Sequence, residues 1–201
     1  MESFLDFSAQ FYNIAGQLNH KAYANMLKAV SEAIPAGATV LEVGAGTGAI
    51  SIAVSEKAGQ ILCTDISEEI LAAARNKSAQ LGINNIKFET LNILDTDMPD
   101  GAFDIVIASQ VLHKIDNSAK GAAELRRIAK TKVILPMHLI KNSYGVGKDG
   151  VEMFRMPGFS PEARIDSRDY EEFLTNLGFS GCEIIRIAGL IPMVVAIWTH
   201  K

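Results

Sequence analysis

Short apolar runs rich in β-branched residues alternate along the chain with longer stretches of helical periodicity. A strand that is buried on both faces reads as a continuous apolar run, so these runs predict strands. We expect seven of them, at residues 39–43, 61–65, 86–91, 103–108, 132–135, 182–187 and 193–199.

The segments between these runs carry start and stop signals for helices. Helices commonly begin after a side chain that caps the first N–H groups and end at a glycine. Such signals predict helices from Ser67 to Gly82, from Asn117 or Ser118 to about residue 130, and from Ser167 to Gly178. A further helix is expected over residues 20–34, before the turn that contains Pro35 and Gly37.

The order of these elements predicts an α/β fold. Strand, helix and strand in succession imply right-handed crossovers and a mostly parallel sheet with helices on both faces. The last two strands differ, because residues 188–192 between them are too few for a crossover helix. We therefore expect a single domain over residues 1–201, with a seven-stranded sheet that ends in an antiparallel hairpin.

Composition narrows the class of protein. A chain of 201 residues with 48% apolar content can bury one substantial core. The net charge of -4, without a long basic run, does not favour nucleic acid as a partner. The longest apolar run is too short to cross a bilayer, and the first residues lack a secretory pattern, so we expect a cytoplasmic protein without membrane partners. Neither cysteine has metal-ligand spacing, and we predict no metal site.

A glycine turn directly follows the first strand and contains Gly44, Ala45, Gly46 and Gly48. Glycine backbone can approach a ligand closely, and the helix that follows presents unpaired N–H groups. Asp65 stands at the tip of the next strand, about twenty residues further on, where an acid can bridge two ribose hydroxyls. Together the two features predict a bound nucleoside without specifying which one.

Four segments in order resemble the motifs of class I S-adenosylmethionine-dependent methyltransferases, at residues 42–48, 64–67, 99–106 and 109–115. The resemblance is most specific to the small-molecule group that includes the ubiquinone and menaquinone biosynthesis methyltransferases, and it covers about residues 4–135 well. It implies a Rossmann-like sheet, S-adenosylmethionine as the cofactor, and methyl transfer to a small-molecule acceptor by in-line displacement.

The resemblance also implies roles for individual residues. Glu42 would help to hold the methionine part of the cofactor, Asp65 the ribose, and Ile66 the adenine. Asn92 stands where the family usually has an acid, and its amide oxygen can still accept from the adenine amino group. The full set of implied cofactor contacts is Tyr12, Glu42, Gly44, Ala45, Gly46, Gly48, Asp65, Ile66, Asn92, Ile93 and Ser109.

Two histidines follow strands at the carboxyl edge of the predicted sheet, where open α/β folds bind ligands. His113 follows the fourth strand and His138 the fifth, and a histidine is the usual general base near neutral pH. Both are therefore catalytic candidates, although the resemblance makes His113 mostly structural.

Two segments are candidate covers for the site. Residues 136–166 form a long connection, which in a compact domain is usually functional, and are expected to cover the substrate. Residues 1–34 are expected to form an amino-terminal helical lid, and a plain core-packing helix fits them equally well.

Two other functions compete with methyl transfer. Tyr144 and Lys148 have the spacing of a nicotinamide-dependent reductase, but Gly145 and Gly147 between them disfavour the helix on which that pair must share a face. A non-catalytic nucleoside-cofactor-binding module would carry the same cofactor motifs, and the presence of an acceptor pocket would distinguish an enzyme from it. The sequence leaves the acceptor and the oligomeric state open.

Overall fold

The computed structural model describes residues 19–139, 167–189 and 192–200. In these ranges the helices are α1 (His20–Ala33), α2 (Ala49–Val54), α3 (Glu68–Gln80), α4 (Ser118–Ile128) and α5 (Ser167–Asn176). The strands are β1 (Thr39–Val43), β2 (Gln60–Asp65), β3 (Ile86–Thr90), β4 (Phe103–Ala108), β5 (Ala129–His138), β6 (Glu183–Ile187) and β7 (Met193–Thr199).

The strands form a single seven-stranded sheet in the order β3-β2-β1-β4-β5-β7-β6. Strands β1 to β5 are parallel, whereas β7 is antiparallel both to β5 and to β6. The sequence prediction of a mostly parallel sheet that ends in an antiparallel hairpin is confirmed, with Ile187 opposite Met193. The hairpin adds a further detail, because β7 lies inside the sheet and β6 forms its edge.

Successive residues of the central strands point to opposite faces, so the sheet separates two apolar cores. Helices α1 and α2 cover one face, against Val40, Ile105 and Ile134. Helices α4 and α5 cover the other, against Leu41, Val106 and Val133. Each such side chain stabilises the fold by about 1.5–3 kcal/mol when it is removed from water.

Helices α1, α3 and α5 lie close to their predicted bounds, and α4 begins where the sequence predicts. The Ser67 hydroxyl accepts the Ile70 N–H at 3.4 Å, and the Asn117 side chain accepts the Lys120 N–H at 2.9 Å, which decides between Asn117 and Ser118 as the cap of α4. Gly82 and Gly178 both follow helices in the left-handed conformation.

Strand β5 is longer than predicted at both ends. Helix α4 ends at Ile128 and not near residue 130, and β5 begins at once with Ala129 opposite Phe103. The strand also continues through Pro136 to His138, because a proline retains its carbonyl acceptor, which here receives the Gln110 N–H at 3.3 Å. The prediction stopped at residue 135 because proline usually ends a central strand.

Helix α1 is a core element. It buries Ala22, Met26, Ala29 and Val30 against the sheet. The Lys57 ammonium donates to the Ser31 carbonyl at 2.7 Å and the Lys132 ammonium to the Ala33 carbonyl at 3.1 Å, which satisfies carbonyls at the negative end of the helix dipole. Residues 20–33 of the expected amino-terminal lid therefore belong to the core. Residues 1–18, with Tyr12, lie outside the described residues.

The loops after β1 and β4 are in close contact, and glycine substitutions can test how much this contact constrains them. A Cβ on Gly44 would overlap a methyl group of Val111, whereas one on Gly37 would meet open space, and both glycines have positive φ. We expect Gly37→Ala to lower the free energy of unfolding by about 1–2 kcal/mol for its backbone conformation alone. Gly44→Ala should lower the free energy of unfolding by about 1–3 kcal/mol more than Gly37→Ala does, because the added methyl group overlaps Val111. Equal losses in urea unfolding would show that the two loops do not constrain each other.

Candidate functional site

The glycine turn after β1 is attached to the end of β2. Its glycines all have positive φ, at 64° for Gly44, 56° for Gly46 and 70° for Gly48. The Ala45 N–H donates to the Thr64 carbonyl at 2.8 Å, and the Gly46 N–H donates to the Asp65 carboxylate at 2.8 Å. These two bonds fix the turn beside the carboxylate that the sequence pairs with it.

Asp65 retains capacity for a ligand. Its second oxygen accepts the Ser67 N–H at 3.1 Å, so each oxygen has one backbone donor. A carboxylate offers about four acceptor positions, which leaves room for two hydroxyl groups. The next residue, Ile66, is a large apolar side chain that is 71% exposed. The end of β2 thus places an acceptor beside an uncovered apolar surface.

Glu42 is a buried carboxyl group beneath the turn. It is 1% exposed and accepts from both the backbone N–H, at 2.9 Å, and the hydroxyl of Ser51 in α2. Burial raises the pKa of Glu42 to about 7, with a further contribution from the Asp65 charge. No cation in the described part of the chain forms an ion pair with it. Because an unpaired buried carboxylate is costly, this position suits a positively charged ligand.

The crevice lies where the strand order reverses. The chain runs from β1 outward to β2 and β3, then returns to β4 on the other side of β1. In open α/β sheets ligands bind at the carboxyl ends of the strands at this point. Half-buried Ser109 leaves β4 there, across the crevice from the glycine turn.

The two residues expected at the adenine are placed differently from each other. Asn92 is exposed, and its side-chain oxygen accepts the Leu94 N–H at 3.0 Å. Ile93 is 3% exposed, and its side chain packs in the core with Leu41 and Val106. An adenine contact at Ile93 would therefore use its backbone, because the side chain is covered by protein.

Both candidate histidines lie at the carboxyl edge of the sheet, and both are half-buried. Burial and the Lys114 charge lower the pKa of His113 and of His138 to about 4. Both rings are therefore uncharged at neutral pH, and imidazoles with such weak affinity for a proton are poorly matched to general-base catalysis near pH 7.

His138 contacts a residue from the neighbouring loop. Its Nδ1 lies 2.6 Å from the Gln110 side-chain nitrogen. In the antiparallel register His138 is opposite Met193, a member of the core on the α1 side, so His138 belongs to that side of the sheet.

A small cleft opens on the other side, between the loop after β4, the end of β5 and helix α5. Gln110, His113, Pro136, Met137, Tyr170 and Phe173 are among the residues that line it. The lining is mostly apolar, and the Tyr170 hydroxyl donates to the Leu135 carbonyl at 3.0 Å, so that polar group already has a partner. The cleft adjoins the switch-point crevice through Gln110, which follows Ser109.

Two residues at this edge escaped the sequence analysis. Tyr23, in the first turn of α1, packs against the core on the α1 side, and burial and the charge of Glu42 raise its pKa to about 12. An aromatic residue in the helix before β1 was its only signal. Gln110 was overlooked because no local pattern marks a glutamine that reaches a histidine 28 residues away.

Other expectations fall outside the described ranges or concern absences. Tyr144, Lys148 and the rest of residues 140–166 lie outside the described residues. Within the described ranges, no three residues of metal-ligand type are grouped as a metal site would require. None of the helices described combines the length and the apolar character of a membrane span.

Comparison with known sequences defines the class of protein. A family described as a methyltransferase domain matches residues 34–167, which is more than half of the chain. The chain belongs to this methyltransferase-domain family, as its motifs suggested.

Individual relatives agree with this assignment. The chain is 33% identical over 159 residues to the chloroplastic magnesium protoporphyrin IX methyltransferase of Arabidopsis thaliana, covering 77% of this chain and 50% of that protein. It is 31% identical over 101 residues to a ubiquinone/menaquinone biosynthesis C-methyltransferase of Marinomonas, covering 48% of this chain and 40% of that protein. The chain thus spans half or less of the length of these two curated relatives.

The fold agrees as well. A crystal structure of the magnesium protoporphyrin IX methyltransferase from Synechocystis with bound SAH superposes with a TM-score of 0.74 at 18% identity, covering 99% of this chain and 95% of that one. At this identity the likeness establishes the fold, and the Rossmann-like class expected from the sequence is confirmed.

The buried Glu42 generates a pH prediction. Its pKa in the folded protein, about 7, lies above the usual value of 4.5 for a glutamate, so the folded state binds the proton more tightly than the unfolded state does. Stability should therefore fall by about 3 kcal/mol as pH rises from 4.5 through 7. In urea unfolding, the stability of Glu42→Gln should not show this decrease between pH 4.5 and pH 7.

Glu56→Gln provides the control, because Glu56 is exposed. The unfolding free energy of Glu56→Gln should depend on pH in the same way as that of the wild type. Parallel curves for the wild type and Glu42→Gln would show that Glu42 is not the group responsible.

Proposed function

We propose that the chain binds S-adenosylmethionine at the switch point between β1 and β4 and transfers its methyl group to a small-molecule acceptor. The main support is the hydrogen bond that attaches the glycine turn to the end of β2. The Gly46 N–H donates to the Asp65 carboxylate at 2.8 Å, and the exposed side chain of Ile66 follows Asp65 directly. This arrangement provides acceptors for ribose hydroxyls next to an apolar surface for a base.

The electrostatics of the turn favour this cofactor over a dinucleotide. Glu42 and Asp65 are both carboxyl groups, and Glu42 has no cationic partner among the described residues. The methionine part of S-adenosylmethionine carries an ammonium and a sulfonium, which would hold Glu42 in its charged form. The pyrophosphate of a nicotinamide dinucleotide is negative and would be repelled at the same place.

We propose that the acceptor approaches through the apolar cleft beside α5. The cleft has room for about one water molecule, so most of the acceptor would lie outside it. S-adenosylmethionine supplies a methyl carbon on positively charged sulfur, and the acceptor's lone pair forms the new bond to that carbon while the carbon–sulfur bond breaks and its electron pair stays on sulfur. The protein contributes by holding the two reactants in line and excluding water. An acceptor that reacts through an O–H or N–H group must also lose that proton. Because the pKa values of His113 and His138 are lowered to about 4, neither ring is suited to take it at neutral pH, and the proton passes to solvent water.

The names of the relatives support an acceptor with a sizeable apolar body. One of these relatives is named for magnesium protoporphyrin IX and the other for ubiquinone and menaquinone biosynthesis. We extend this to the present chain only as a class: an apolar small molecule and not a nucleic acid. The cytoplasmic location expected from the sequence stays a prediction.

Calorimetry tests the cofactor half of the proposal. S-adenosylhomocysteine should bind, and NAD should not. Asp65→Ala should weaken S-adenosylhomocysteine binding about ten- to a hundredfold, because it removes hydrogen bonds to a charged group. Asp97→Ala is the matched control, since Asp97 is an exposed acid in a loop. The affinity of this variant for S-adenosylhomocysteine should be unchanged. Binding of NAD with no response to S-adenosylhomocysteine would refute the assignment.

Methyl transfer itself requires a separate measurement. The protein is incubated with S-adenosylmethionine labelled in the methyl group and with a panel of apolar phenols, amines, thiols and carboxylic acids, and the label is followed into product. We expect label in at least one compound, and about ten- to a hundredfold slower labelling of it with Asp65→Ala at limiting cofactor. Tight cofactor binding without transfer to any compound would favour the non-catalytic binding module.

A further inference from the structure

Gln110 has an unusual backbone conformation. Its φ of 58° is the single positive value found for a non-glycine among the described residues. For such a residue the left-handed region is unfavourable by about 1–2 kcal/mol, and strain of this kind persists where the surroundings hold it and tends to cluster at functional sites. The surroundings are identifiable, because the Gln110 N–H donates to the Pro136 carbonyl and its side chain contacts His138.

The contact with His138 determines which end of the Gln110 amide faces the histidine ring. The amide nitrogen lies 2.6 Å from His138 Nδ1, so its N–H donates to that ring nitrogen. A neutral imidazole has one acceptor and one donor nitrogen, so this arrangement requires the proton of His138 to be on Nε2. Gln110 lies at the carboxyl edge of the sheet, between His138 on the α1 side and the apolar cleft on the α5 side, and its amide oxygen is the end that His138 does not hold.

We propose that Gln110 recognises the methyl acceptor through its amide oxygen, and that His138 is a positioning residue that holds the amide in this orientation. The acceptor would accordingly carry an O–H or N–H donor on an apolar body. The proposal rests on the methyl-transfer function, because it names the substrate class of the same site. It assigns His138 a role different from the general base expected from the sequence.

The surroundings of His138 are consistent with this role. To accept a hydrogen bond from the Gln110 amide, Nδ1 of His138 must stay unprotonated. A protonated ring would donate from Nδ1, and the amide would rotate so that its oxygen faces the ring. Lys114, in the loop between β4 and α4, is the charged described residue that acts on His138, and Met193 on β7 opposite it is apolar. Both features disfavour the imidazolium.

Nuclear magnetic resonance of the full chain labelled with ¹⁵N tests the arrangement directly. His138 signals are assigned by their loss in His138→Asn. In the wild type at pH 7 we expect a proton on Nε2, none on Nδ1, and a coupling across the hydrogen bond between Gln110 Nε2 and His138 Nδ1. A proton on Nδ1, or an equal mixture of the two tautomers, would overturn the proposal.

Gln110→Asn separates positioning from folding. Asparagine tolerates the left-handed conformation better than glutamine, so stability should be retained, but its shorter side chain should lose the contact with Nδ1 and the tautomer preference. Gln80→Asn, on the exposed surface of α3, should leave the His138 spectrum unchanged. An unchanged His138 spectrum in Gln110→Asn would also contradict the proposal.

The substrate class is tested with the compounds that receive label in the panel described above. Each should carry an O–H or N–H group, and Gln110→Asn should raise its KM about tenfold, as expected for one lost hydrogen bond. A labelled compound without such a donor would overturn the recognition role. Failure of wild-type protein to bind S-adenosylhomocysteine would instead remove the methyl-transfer function, while the tautomer result would still decide whether His138 orients Gln110.

Discussion

The site depends on the close approach of two loops at the point where the strand order reverses. Gly44 has no side chain, and Val111 from the loop after β4 occupies the space that one would need. Each loop is also tied outward, the first to β2 through the Gly46 bond to Asp65, the second to β5 through the Gln110 bond to Pro136. Hydrogen bonds from the N–H groups of the loops to the neighbouring strands therefore hold both walls of the crevice, so its shape follows from the register of the sheet.

The two walls differ in charge in a way that suits a sulfonium reaction. Carboxyl groups, Glu42 and Asp65, lie on the β1 and β2 side, whereas the titratable rings on the β4 and β5 side, His113 and His138, are uncharged at neutral pH. An imidazolium close to the positively charged sulfur would repel the cofactor before transfer. Burial of the rings avoids this repulsion, at the expense of their strength as bases.

Local patterns were sufficient for most of the fold. The apolar runs gave the strands, and the caps at Ser67 and Asn117 marked two helix starts, because these signals act over a few residues. The glycine turn and Asp65 were predictable for the same reason. The passage of β5 through Pro136, the burial of the Ile93 side chain and the contact between Gln110 and His138 depend on which strands become neighbours. No window of sequence contains that information.

The same distinction explains why the cofactor can be inferred more readily than the acceptor. The proposed cofactor contacts come from backbone turns and strand tips whose placement follows from the parallel sheet itself, so they leave motifs in the sequence. The acceptor cleft is built from residues of the β4 loop, the end of β5 and α5, which are brought together by the pairing of β4 with β5 and by the bond from Tyr170 to Leu135. Its polar content is small, because Tyr170 already donates to Leu135. Selectivity in such a cleft falls to the few polar groups that remain, and the strained, histidine-held amide of Gln110 is the one whose orientation the packing fixes.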